Sequence, residues 1–433
     1  MQNESSSTRY GTVAMGLLWL TLICGVPNLL IGFEWRALDL SVRGMVLLLL
    51  ISSVVQFGYT FSASYVSSRT GESFMQMASR HFGRRGPQLL GLLLLLNNAA
   101  WYALNAALLA DSIAALGLWP HNQRLLVLGL AIAMSLNNAL GFRGVAGFAR
   151  YIAGPMLILW VGYTLWRLSG LPPQAATPAQ RPGVWLMLGT ISSFAIGAAS
   201  WGNEADFWRH SQARLRAVAL AVGGSILIGL VVFPLTGWLL ATRIPQADLA
   251  QVIPLMTAQT LHGSTGLALL LLTATYFACN DGILYGMVEC VQYAFPMSRA
   301  VSLLVLLSVN VLLSLLIQGY ARGLELVTAI SFIFLPAATV IMTYEDLRNL
   351  YTGRLLTAQS ASHSSAALIG FAAAVGVGLC CSGFIPGLSG LRGGVAPLWG
   401  WGAGLACYVL AKDWLRRRTA AAASRSGPRS PGL

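Results

Sequence analysis

Residues 264–293 read STGLALLLLTATYFACNDGILYGMVECVQY. A helix needs about 20 predominantly apolar residues to cross the hydrocarbon core of a bilayer, so this run spans one with residues to spare and must tilt or project beyond it. At its middle stand Asn280, Asp281 and Gly282. A carboxylate in hydrocarbon costs several kcal/mol unless it is paired, protonated or hydrogen-bonded. Asp281 therefore has two readings: a working group inside the membrane, or an acceptor for donors on a neighbouring helix.

Eleven further stretches have the length and apolarity of a span: 11–32, 43–66, 87–117, 123–141, 149–169, 184–202, 215–241, 300–317, 323–343, 364–385 and 395–412. The totals agree. Of 433 residues, 56% are hydrophobic and 9% charged, against about 25% charged in soluble domains. Too little charge is present to cover a water-facing surface, which excludes a soluble enzyme, a nucleic-acid-binding domain and a disordered chain. The expectation is an all-α membrane protein of twelve transmembrane helices, residues 1–412, followed by a basic, disordered tail over 413–433.

The net charge of +13 reports topology in such a chain, because cytoplasmic loops collect Lys and Arg. With the N-terminus inside, 19 of the 27 Lys and Arg fall on the cytoplasmic side and 8 outside, which places both termini in the cytoplasm. The first apolar stretch lacks a small-residue cleavage site and reads as a retained helix. Six Cys lie in apolar runs without CxxC spacing, and the five His form no HxxxH pair. Neither a disulfide framework nor a haem or zinc site is expected, and no resident cofactor.

Two spans carry interruptions. Gly25-Val26-Pro27-Asn28 sits within the first, and Gly197 and Gly202 bracket the end of the sixth. Pro removes a backbone donor and Gly loosens the turn. Paired interruptions in corresponding helices of two halves are the sequence pointer to a transport site built on broken helices. Single Gly and Pro are also commonplace in membrane helices.

The third span reads LLNNAAWYALNAALLAD over 95–111. Asn98, Trp101 and Asn105, spaced i, i+3 and i+7, share one face. An indole between two amides suits a flat heterocycle, stacked on its face and hydrogen-bonded at its edge. The same stripe reads equally as interhelical glue around a packing Trp. The sixth span ends SSFAIGAASWGNEADFWRH over 192–210, where Phe194, Trp201, Asn203 and Glu204 crowd together. Asp206 and Arg209 have i, i+3 spacing and are expected to pair as a structural latch. Glu204, just past the glycines, is either a protonatable group within the membrane or a solvated helix end. Glu289 faces the same cavity or the cytoplasm, and Asn310 reads as interhelical glue. The loop SSRTGESFMQMASRHFGRRG over 67–86 has a short amphipathic helix and a basic turn, with no phosphate-binding pattern.

In these places the chain resembles the nucleobase–cation symporter family, and within it the bacterial cytosine permeases. Thr70-Gly71 followed by Arg80-His81-Phe82-Gly83-Arg84-Arg85-Gly86 is similar to that family's T-G and R-x-x-F-G-x-x-G. The Trp101 helix resembles its substrate helix, Ala205-Asp206-Phe207-Trp208-Arg209 its A-D-F/Y-x-R, and Asn280-Asp281 with Leu284-Tyr285 its eighth helix. The resemblance implies a leucine-transporter-type fold: an inverted repeat of five plus five helices (about 11–169 and 184–343) with two extra helices over 364–412. It also implies a monomer in the bacterial inner membrane that imports a nucleobase-like heterocycle by alternating access, driven by sodium or protons. Trp101 would stack on the base, Asn98 or Asn105 would read its edge, and Asn280 and Asp281 would face it. The family's second aromatic falls at Gly197, so Phe194 or Trp201 would substitute. Sodium-coupled members use carbonyls of the broken first helix and hydroxyls of the eighth. Here that set would be Gly25, Val26, Thr275 and Cys279, and a thiol is a poor ligand for a hard cation. A weak or lost sodium site is expected, with Glu204 or Asp281 as the proton-coupling group. The competing reading of the same fold is an amino-acid or amine transporter. An intramembrane enzyme would need a catalytic constellation that the sequence lacks.

Overall fold

The computed structural model describes residues 9–35, 41–119, 122–170, 201–243, 252–316, 331, 333–353, 361–382, 385, 387 and 396–425. Residues 184–200 of the sixth span, including Phe194 and Gly197, lie outside this set, as do residues 426–433 of the tail. Residues 413–425 of the tail are not disordered but continue the last helix.

The described residues are helical throughout, apart from an isolated bridge between Tyr10 and Ser211. The first span is two helices, α1 (Thr12–Ile23) and α2 (Val26–Glu34), separated by Cys24 and Gly25 in extended conformation (φ −105° and −147°). The break falls where the sequence places it. Pro27 sits in the first turn of α2, where its missing N–H costs nothing and its fixed φ starts a new helix.

α3 (Val42–Thr70) ends on Gly71 at φ 73°, a left-handed cap that suits glycine. The short helix α4 (Phe74–Phe82) opens with a reciprocal capping box between Ser73 and Gln76. Then follow α5 (Gly86–Ala115), α6 (Gln123–Ala133) with a 3₁₀ turn over Leu136–Leu140, and α7 (Phe142–Phe148), which runs through a π-turn into α8 (Gly154–Ser169). After the sixth span come α9 (Glu204–Trp208) and α10 (Leu215–Ile226), which continues through a π-turn at Leu227–Val232 into α11 (Phe233–Arg243). The remainder are α12 (Val252–Thr260), α13 (Thr265–Ala294), α14 (Arg299–Leu316), α15 (Leu335–Tyr351), α16 (Ala361–Ser382) and α17 (Ala396–Arg425).

Among the described residues, eight helices or collinear helix runs are long and apolar enough to cross a membrane. Their burial orders them. The central part of α13 is 67% buried and that of α5 61%, whereas α14 is 22% buried. The first two form the heart of the bundle and α14 lies at its rim, with Leu304, Leu312 and Leu316 turned outward as a lipid-facing surface requires. α13 passes unbroken through Asn280, Asp281 and Gly282, all buried. α1 packs on α10 and α2 on α11, so the break of the first span lies beside the π-turn of the seventh.

Candidate functional site

A cavity opens at the break of the first span. Leu22, Ile23, Gly25 and Asn28 line it from α1 and α2, and Asn97, Asn98, Trp101 and Asn105 from α5. Thr275, Tyr276, Cys279 and Ile283 come from α13, Trp201 from the segment before α9, and Ser331 from just before α15. None of the described residues lining it is a Lys, Arg, His, Asp or Glu.

The polar groups of α5 form one chain. The Trp101 indole N–H donates to Ser331 Oγ at 2.7 Å, and that hydroxyl donates to Asn97 Oδ1 at 2.6 Å. Asn97 Nδ2 donates to Asn98 Oδ1 (3.2 Å), and Asn98 Nδ2 to the Ile283 carbonyl (3.4 Å). Asn105 directs its Nδ2 to Asn280 Oδ1 at 2.9 Å and to Cys279 Sγ at 3.5 Å. With its nitrogen so occupied, Asn105 presents its carbonyl oxygen as the acceptor for a ligand. Trp201 is half-buried and backed by Trp19 (centroids 6.2 Å apart) and Phe207 (5.8 Å, edge-on), which hold its ring.

The sequence-derived candidates divide. Trp101, Asn98, Asn105 and Trp201 line the cavity together, as do Gly25, Thr275 and Cys279 of the proposed sodium set, with Val26 buried next to them. Phe194 lies outside the described residues. Asn280 and Asp281 sit behind the wall. Asn280 bonds to Asn105 and donates to the Tyr102 carbonyl at 3.2 Å, so it reaches the cavity only through Asn105. Asp281 accepts from Asn137 Nδ2 at 2.7 Å and, at 3.4 Å, from Asn138 Nδ2, both on the 3₁₀ turn after α6. Its carboxylate is thus buried and hydrogen-bonded to a neighbouring element. Glu204 is fully buried and accepts from the backbone N–H groups of Trp201 (3.0 Å) and Gly202 (3.3 Å) and from the Tyr59 hydroxyl (3.2 Å). It is not a solvated helix end.

The expected Asp206–Arg209 latch is corrected. Arg209 keeps helical backbone geometry as the cap of α9, but its guanidinium is turned to another helix. Asp206 instead accepts from the Phe74 backbone N–H at 2.9 Å and from Asn203 Nδ2 at 3.1 Å. Arg209 pairs with Glu289 at 2.6 Å, next to Tyr285 and Arg299. Glu289 thus belongs to this pairing and not to the cavity. The loop before α5 also does more than carry charge: Arg80, buried, bridges Glu72 and Asp346, and His81 Nε2 lies 2.9 Å from Asp346.

Seven of the fourteen described lining residues escaped the sequence reading, Asn97, Asn28 and Ser331 among them. Asn97 adjoins Asn98, and the doubled amide was a usable signal. Asn28 follows the break proline directly. Ser331 had no signal, being one hydroxyl in an apolar span.

No protein-family model matches the chain, and no curated protein sequence does. Solved structures do. Mhp1, described as a nucleobase-cation-symport-1 family transporter, in a closed conformation with bromovinylhydantoin bound, matches at a TM-score of 0.74 over 96% of each chain, with 16% identity. An inward-facing conformation of Mhp1 matches at 0.67 over 96% of this chain and 94% of that one, with 15% identity. The chain therefore shares the fold of this transporter.

Proposed function

We propose that the protein is a secondary active transporter for an uncharged, flat nitrogen heterocycle, a nucleobase or related pyrimidine, working by alternating access in the plasma membrane with both termini cytoplasmic. The observation that carries this is the cavity: two indoles for the faces of a ring, carboxamides for its edge, and no charged side chain among the described lining residues. Trp101 stacks on the ring and Trp201 covers it. Asn105 offers an acceptor, and Asn97 and Asn98 each retain an N–H beyond the bonds within their chain. Such mixed edges match lactam and aminopyrimidine groups. Asn280 acts one layer back, fixing Asn105.

The shared fold with a nucleobase-cation-symport-1 transporter supports the same reading, and with it we propose a five-plus-five repeat over about 11–169 and 184–343. Transport is coupled to a cation gradient, of protons or sodium, with Glu204 and Asp281 as the buried carboxylates available for a proton. An amino acid would bring two charges into a cavity wall without an opposing side chain, which is costly in a buried site.

Uptake of labelled cytosine in cells expressing the chain, competed by uracil, hypoxanthine, allantoin and hydroxymethylpyrimidine, tests the proposal. Saturable uptake competed by at least one of them supports it. Saturable uptake of an amino acid, with none of the heterocycles competing, overturns it.

A further inference from the structure

The break between α1 and α2 raises a question of hydrogen-bond supply. The last carbonyls of a helix lose their intrahelical donors and need another partner. In membrane transporters, carbonyls freed at broken helices are places where a coupling cation binds. Here those of Leu22 and Ile23 already have partners from the protein. The Ile23 carbonyl accepts from Asn28 Nδ2 at 2.5 Å, and the same nitrogen donates to the Gly229 carbonyl at 3.3 Å. The Leu22 carbonyl takes the Cys279 thiol at 3.7 Å. Both oxygens facing the Asn28 amide are acceptors, so its nitrogen end must point at them.

Asn28 is 3% exposed, lines the cavity, and is the residue that stitches α1 to the π-turn of the seventh span. The approach depends on Gly229, where a Cβ would stand 3.0 Å from Cys24 Sγ and 3.1 Å from Ile23 Cγ1. Thr275, the hydroxyl nearest this point on α13, donates to Leu271 of its own helix at 2.8 Å. A hard cation wants oxygen ligands around it, and an amide N–H and a thiol supply the opposite or a poor substitute.

We propose that Asn28 is a built-in substitute for a bound cation: its carboxamide nitrogen satisfies the Ile23 and Gly229 carbonyls, so the break is organised without sodium. Combined with the transporter reading on which this consequence rests, sodium at the break does not drive transport. Asn28 thereby determines ion specificity.

The test needs no substrate, so its outcome is independent of whether uptake of any heterocycle is found. Melting of the purified full-length protein in detergent is followed in sodium chloride and in choline chloride at equal ionic strength. The wild type melts at the same temperature in both. Asn28→Asp keeps the shape, removes the donor and adds a carboxylate beside two carbonyls. It acquires a sodium-specific rise that grows with the logarithm of sodium concentration, about 1–2 °C at tenfold over Kd. Cys279→Ser restores an oxygen but leaves Asn28 in place, and stays indifferent to sodium. A sodium-specific rise in the wild type, a folded N28D protein without one, or a rise in C279S alone would each overturn the proposal. If N28D does not fold, the wild type and C279S decide.

Discussion

Replacing Trp101 by Ala removes two things at once. The indole face is lost as a stacking surface, and stacking of a base on an aromatic ring contributes about 1–3 kcal/mol. The indole N–H is also lost to Ser331, which it meets at 2.7 Å, a bond of about 0.5–1.5 kcal/mol. That hydroxyl continues to Asn97 and Asn98, so the edge-reading amides loosen with it. The two contributions sum to about 1.5–4.5 kcal/mol, which raises Kd by about 10- to 2000-fold. Trp101→Phe separates them. It retains a ring and loses only the N–H, and its Kd rises about 2- to 10-fold. Equilibrium binding of the best competitor from the uptake panel to purified protein measures both. Trp101 is half-buried at the cavity wall, so the variants should keep wild-type sizing profiles. A Trp101→Ala protein that binds within threefold of wild type would refute the stacking role. Equal losses in the Ala and Phe variants would refute the division into face and edge.

Two further outcomes follow from buried carboxylates. If protons drive accumulation, either Glu204→Gln or Asp281→Asn abolishes concentrative uptake driven by a pH gradient while leaving substrate exchange; unaltered gradient-driven uptake in both variants would remove these two groups from the coupling step. Asp346 faces Arg80 and His81 with 0% side-chain exposure, and removing one partner of a buried ion pair costs about 3–5 kcal/mol. Asp346→Ala should therefore melt several degrees lower in detergent, and an unchanged melting temperature would show that the cluster contributes nothing net.

The sequence carried the break of the first span, because Gly25 and Pro27 act locally on the backbone. It also carried the Asn98–Trp101–Asn105 stripe, because helical periodicity fixes which residues share a face. What it could not carry is the partner of each polar group. Asn280 and Asp281 stand out in a linear reading, but the sequence does not say which groups meet them. They are satisfied by α5 and by the donors Asn137 and Asn138, whose arrival depends on a 3₁₀ turn that LNNAL over 136–140 does not announce. The Asp206–Arg209 expectation failed for a related reason: spacing shows which residues can meet on one helix, not that Glu289 takes Arg209 and the Phe74 N–H takes Asp206 from other elements. Ser331 joins the site through packing alone, and nothing local marks it.

The claim on which the account stands is that the cavity selects an uncharged ring. Binding of uracil and of its 6-carboxylate to the same purified protein tests this most directly, because the two share a ring and differ by one anionic group. The lining offers that group no cation, and an uncompensated buried charge costs several kcal/mol. With uracil among the ligands that bind, the account predicts that the carboxylate binds at least 100-fold more weakly, about 3 kcal/mol. Equal or tighter binding of the charged form would contradict it.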